Sequence, residues 1–143
     1  MREIYIPKHF KLQELVDRQT FEKLGSASIW LLDVDMLKCL DGIREYFNAP
    51  MTINNWSAGG KFESRGFRSI FNKTGANWSQ HRCGRGFDFD IAGHTAEEVR
   101  KVILTNQNIF PFNIITTLET DVSWVHADDR LTNELQIKLI KPS

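Results

Sequence analysis

The segment Gly86-Phe87-Asp88-Phe89-Asp90-Ile91 constrains the fold of this chain more than any other stretch. Large apolar and acidic residues alternate along it, and successive side chains of a β-strand point to opposite faces. The alternation predicts a strand with Phe87, Phe89 and Ile91 on one face and Asp88 and Asp90 on the other.

The rest of the chain supplies elements of both kinds. Leu12, Leu15, Val16, Phe21 and Leu24 fall at roughly helical spacing and predict a helix over 12–24, with Gly25 as its stop. Met36, Leu37, Leu40, Ile43 and Phe47 form the apolar stripe of a second helix over about 33–47, which Pro50 ends. Residues 51–56, MTINNW, read as a strand. Residues 57–80 are rich in Gly, Ser, Asn and Arg and show little periodicity. An irregular stretch of that length inside a compact domain is usually functional. Thr95 and Glu98 form a T-x-x-E capping box that opens a third helix, with Val99, Val102 and Ile103 facing inward. Strands are expected near 113–118 and 123–127, and residues 135–140 add a further candidate. Helices first and strands later predict an α+β fold with a mainly antiparallel sheet flanked by helices. A chain of 143 residues fits one domain over 1–143.

Composition narrows the partners. Hydrophobic residues make up 41% and charged residues 25%, as in ordinary globular proteins. Lys plus Arg equals Asp plus Glu at 18 each, which leaves no electrostatic footprint for nucleic acid. Cys39 and Cys83 are too few for a disulfide framework and read as reduced thiols. The opening MREIYIPKHF lacks an apolar core of signal-peptide length. No apolar run approaches the roughly 18–20 residues of a membrane span. The expectation is therefore a chain that is cytoplasmic as synthesised; the sequence does not fix its oligomeric state, for which a monomer is the default.

Chemistry concentrates in Ser79-Gln80-His81-Arg82-Cys83-Gly84-Arg85-Gly86-Phe87-Asp88 and in Ser123-Trp124-Val125-His126. A histidine on a turn, two glycines and an aspartate inside a strand let the chain curl back, so that imidazole and carboxylate meet one ion. Trp124 and His126 share one face of the later strand. Two histidines and one carboxylate, with a fourth position for water, form a catalytic rather than a structural zinc pattern. Spacing alone leaves ordinary surface or core histidines as the alternative, and His9 and His94 read that way.

The segment S-x-H-x-x-G-x-G-x-D resembles the S-x-H-x-x-G-x-A-x-D signature of the M15 peptidases. These include D-Ala-D-Ala carboxypeptidases and dipeptidases and phage endolysins that cut L-alanyl-D-glutamate bonds, with a metal site related to that of Hedgehog domains. W-V-H-A-D resembles the family's second motif, and NNWSAGGKFESRGFRS resembles the segment before the first motif in phage-type members. The resemblance implies a Hedgehog/DD-peptidase-like fold, a Zn2+ cofactor held by His81, Asp88 and His126, and bacterial peptidoglycan peptides as substrate. Asp90 becomes a neighbour of the ligands or a solvated group. Gly86 stands where the family has alanine, and either small residue allows close packing under the ligands.

The family's acidic residue three positions before the last histidine is Ser123 here. Glu119 is the first candidate for the general base and Asp121 the second. Arg68, in Gly66-Phe67-Arg68-Ser69, resembles the family arginine that holds a substrate carboxylate or the developing oxyanion. Arg65, Arg82 and Arg85 read as a solvated basic rim. Ser79 and Gln80 position the turn or bond substrate, and Trp124 and Trp78 either wall the cleft or pack in the core. The alternative function is a catalytically inactive zinc-containing wall-binding or phage virion domain. Without a signal peptide, a lytic enzyme would await a holin-type membrane lesion or travel in a particle.

Overall fold

Each helix begins where a side chain takes over a backbone N–H that the first turn leaves unpaired. In the computed structural model, which describes residues 4–142, Asp17 accepts from the Thr20 N–H at 2.9 Å and opens α1 (Arg18–Leu24). Residues 1–3, the start of the MREIYIPKHF segment, and residue 143 lie outside the described residues. Asp33 accepts from the Met36 N–H at 2.9 Å and opens α2 (Val34–Phe47), which ends at Asn48 in the left-handed region. Thr95 and Glu98 form the expected reciprocal capping box before α3 (Ala96–Thr105). Met36, Leu37, Leu40 and Ile43 are buried as the stripe of α2 requires, while Phe47 is partly buried.

The expected helix over 12–24 is divided. Leu12–Glu14 forms a 3-10 turn, and the chain then runs extended before α1. Here Val16 bridges to Phe67, with the Phe67 N–H on the Leu15 carbonyl at 2.8 Å and the Asp17 N–H on the Phe67 carbonyl at 3.1 Å. These long-range backbone bonds override the local helical spacing. Gly25 ends α1 as expected, and the chain continues in 3-10 geometry over Gly25–Leu31.

Five strands form one sheet in the order β1-β2-β4-β3-β5. They are β1 (Met51–Thr52), β2 (Gly86–Ile91), β3 (Thr117–Glu119), β4 (Val125–Asp128) and β5 (Lys138–Ile140). All pairs are antiparallel except β3 with β5, so the architecture is α+β with a mostly antiparallel sheet. The strand expected over 51–56 stops after Thr52. Asn54 instead uses its amide to donate to the Val16 carbonyl at 3.0 Å and to accept from the Arg65 N–H at 2.9 Å. The expected 113–118 strand begins only at Thr117, because Phe112–Ile114 is a 3-10 turn. The expected 123–127 and 135–140 strands move to Val125–Asp128 and Lys138–Ile140.

The inner face of β2 follows the alternation: Phe87, Phe89 and Ile91 are buried with Leu118, Val125 and Ala127. Val99 and Ile103 of α3 join the same core, and Val102 packs partly against it. Residues 57–80 hold little regular structure beyond the 3-10 turn Trp56–Ala58. Among the described residues, no helix is long and apolar enough to cross a membrane.

Candidate metal centre

The turn that carries His81 is built from its own sequence. The Ser79 hydroxyl accepts from the His81 N–H at 3.3 Å and starts the 3-10 turn Gln80–Cys83. Gly84 closes it at φ 69, where a Cβ would collide with the Leu31 carbonyl oxygen, so only glycine fits. Gly86 then starts β2 directly under the turn. A Cβ there would stand 3.0 Å from the Gln80 Cβ and 3.1 Å from the His81 nitrogen. The alanine of the resembled signature would therefore fit tightly here, and the two small residues are not interchangeable without a shift.

The pairing of β2 with β4 sets Asp88 opposite His126, and the turn lowers His81 onto both. Their ligand atoms all lie within 4.8 Å of one another and all three residues are buried, so the group can hold a metal ion. The Asp88 Oδ1 atom lies 2.7 Å from His126 Nδ1 and 3.3 Å from His81 Nε2. Each imidazole engages its other nitrogen elsewhere. His81 Nδ1 donates to the Gly66 carbonyl at 2.9 Å, which leaves Nε2 facing the centre. His126 Nε2 donates to Asp128 Oδ2 at 2.8 Å, which leaves Nδ1 facing the centre. Partners of this kind orient metal-binding histidines, so the donor set fits a cation.

Charge around the group is balanced by position. Burial pushes the Asp88 carboxyl up, but hydrogen bonds from His126 and His81 hold it well below the usual carboxylate range. Burial pulls His126 down, yet its bonds to Asp128 and Asp88 hold its pKa up at about 9. Asp128 is lowered despite burial by Arg130 and His126. Arg68 is buried, with Nη2 3.4 Å from Asp88 Oδ2, Nε on the Ser64 carbonyl and Nη1 3.4 Å from the Thr74 carbonyl. It thus holds the Asp88 oxygen that faces away from the histidines.

Glu119 ends β3. The β3–β4 register runs through Thr117↔Asp128 and Leu118↔Ala127, and Glu119 is the next residue of β3, paired with Ile140 of β5. Its negative charge reaches His126, Arg68 and Arg130. Asp121 is exposed in the following turn at φ 61. Trp124 lies two residues before His126 with its indole N–H buried and unpartnered. Gln80 is half-buried under the turn, and its carbonyl accepts from the Arg85 N–H at 3.1 Å.

Other expectations are sorted by their partners. His9 pairs with Glu45 at 3.0 Å and His94 lies 3.9 Å from Glu98, both away from the centre. Asp90 pairs with Arg65 at 2.6 Å, and Arg85 with Asp129 at 2.8 Å. Arg82 donates to the carbonyls of Ser69, Asn72 and Ala76 and staples the irregular loop. These three arginines are thus specifically engaged rather than a solvated rim, because each fork finds fixed acceptors. Trp78 is 93% exposed and is no part of the core. Asp128 and Arg130 were missed as neighbours of the ligand set. Continuing the two-residue period from His126 would have found both. Compared with known proteins, the chain matches no family model, no curated protein and no solved structure.

Proposed function

We propose that this chain is a zinc metallopeptidase that hydrolyses peptide bonds in bacterial peptidoglycan stem peptides, as an endolysin-like endopeptidase or a D-Ala-D-Ala carboxypeptidase. The observation that carries this reading is the buried His81–Asp88–His126 group, with both outer imidazole nitrogens already engaged. Two nitrogens and one oxygen, with coordination left for water and substrate, make up a catalytic zinc donor set. Zinc bound there would supply Lewis acidity and lower the pKa of its water to about 7.

The chain's own residues divide the remaining work. Glu119 takes a proton at its carboxylate and returns it to the leaving amine, as general base and then general acid. It is favoured over Asp121 because it ends β3 next to β4 and its negative charge acts on His126, whereas Asp121 is exposed. Arg68 orients Asp88 through Oδ2, and its remaining donors suit a substrate carboxylate or carbonyl. Ser79 and Gln80 keep the His81 turn in place, and Trp124 walls the cleft on the His126 face. The substrate class rests on the resemblance of S-x-H-x-x-G-x-G-x-D and W-V-H-A-D to the cell-wall peptidase motifs.

The test is metal content together with cleavage of purified peptidoglycan, comparing the parent with His81→Ala. One zinc per chain, products bearing new amines and loss of both in the variant are expected. Zinc without cleavage would leave an inactive wall-binding or virion domain, and no zinc in the parent would end the metal reading.

A further inference from the structure

The Asp128 carboxylate is completely buried and accepts four hydrogen bonds. Its Oδ1 takes the Arg130 backbone N–H at 3.1 Å and the Arg130 Nε–H at 2.8 Å. Its Oδ2 takes Arg130 Nη2 at 2.5 Å and His126 Nε2 at 2.8 Å. Three of these four bonds come from one residue, so the carboxylate is clamped before it meets the imidazole. A clamped group that only accepts forces the facing ring nitrogen to carry a hydrogen.

We propose that Asp128, held by Arg130, is the positioning residue that fixes the His126 tautomer and presents Nδ1 to the metal. This inference rests on the metal reading of the His81–Asp88–His126 group and extends it to two residues that touch neither metal nor substrate. The two histidines are then fixed by different devices. His81 is set by a backbone carbonyl, that of Gly66, which no substitution removes. His126 is set by a side chain, which a single atom change can invert.

Asparagine at 128 makes that inversion specific. Its oxygen is best used at the Oδ1 position, where two Arg130 donors converge, including a backbone N–H that cannot turn away. The amide NH2 then faces His126 Nε2 and demands an acceptor there. The ring hydrogen is driven to Nδ1, the nitrogen a metal needs. The change preserves volume, so packing is largely retained. Loss of such a partner typically weakens metal binding by about 10–100-fold.

Two measurements test this on the full chain. In the zinc-loaded parent, long-range 1H–15N correlation spectra should show His126 with a protonated Nε2 and a metal-bound Nδ1. Zinc affinity, read by competition with a chromophoric chelator, should fall about 10–100-fold in Asp128→Asn and less in Arg130→Ala. Coordination through Nε2 in the parent, or parental affinity in a folded Asp128→Asn, would overturn the inference. Should Asp128→Asn fail to fold, the parent spectrum and Arg130→Ala decide, and unchanged affinity in Arg130→Ala removes the clamp. A parent that binds no zinc overturns both this inference and the proposed function, whereas zinc binding as described without peptide cleavage overturns the peptidase reading alone.

Discussion

Phe87 and Phe89 on one face of β2 are fully buried beside Leu118, Val125 and Ala127. Asp88, between them in sequence, is only 6% exposed on the other face beside His81, His126 and Arg68. Burial therefore does not distinguish the two faces of these strands; partners do. The apolar face is held by area removed from water, which is non-directional and tolerant of reshaping. The polar face carries directed bonds in which His81, Asp88, His126, Asp128 and Arg130 satisfy one another, so removing one strands its neighbour. One sheet thus carries the hydrophobic core on one face and the His81–Asp88–His126 group on the other.

The largest expected effect breaks the apolar side alone. Phe89→Ala should cost about 3–5 kcal/mol in urea unfolding through lost burial and the cavity left behind. Zinc affinity of the molecules that remain folded should stay near that of the parent. A large loss of affinity in the folded fraction would show that the two faces are not separable.

Next in size is a pH dependence that belongs to the polar face. The folded pKa of His126, about 9, lies above its ordinary value near 6.5, so its contribution is whole below about pH 6.5. That contribution is lost as pH rises through 9, and the shift corresponds to roughly 3 kcal/mol. The groups that act on or face His126 are Asp88 from β2, Glu119 from β3, Asp128 on its own strand and His81 from the turn, with Arg68 behind Asp88 on its far oxygen. Urea unfolding in chelator should show this fall between pH 6 and pH 9.5, and saturating zinc should remove it by displacing the Nδ1 proton. A flat chelated profile would mean that His126 lacks the two partners described.

The smallest effect sharpens the boundary between the faces. Gly86→Ala should cost about 1 kcal/mol, since Gln80 and His81 must give by a few tenths of an ångström. It should also lower zinc affinity a few-fold, because the displaced turn carries His81. Unfolding and chelator competition on the same variant would measure both, and a stability loss with unchanged affinity would uncouple the turn from the centre.

Much of the candidate site was legible as local pattern. The period of GFDFDI named the face of Asp88, and the Ser79–Gly84 turn and the Thr95–Glu98 box were readable as capping and turn chemistry. The helix expected over 12–24 is divided because bonds from Phe67 compete for its backbone, and no local spacing reports a partner some fifty residues away. Glu119 stands ahead of Asp121 as a candidate in the sequence, but its place at the end of β3, next to β4, comes from strand pairing.

The amino-acid sequence by itself determined local pattern: the strand alternation around Asp88, the Thr95–Glu98 cap and the Ser79–Gly84 turn are properties of neighbours along the chain, whereas the grouping of His81, Asp88 and His126 came from the resemblance of two separated motifs. Only the tertiary structure decided which nitrogen of each histidine faces the centre, through the Gly66 carbonyl and the Asp128 carboxylate. It also decided that Arg130 clamps one of those partners and that β5 runs parallel to β3. The reason is physical. Side-chain period is set within a strand, whereas hydrogen-bond partners are set by register across strands and by backbone groups that carry no residue identity.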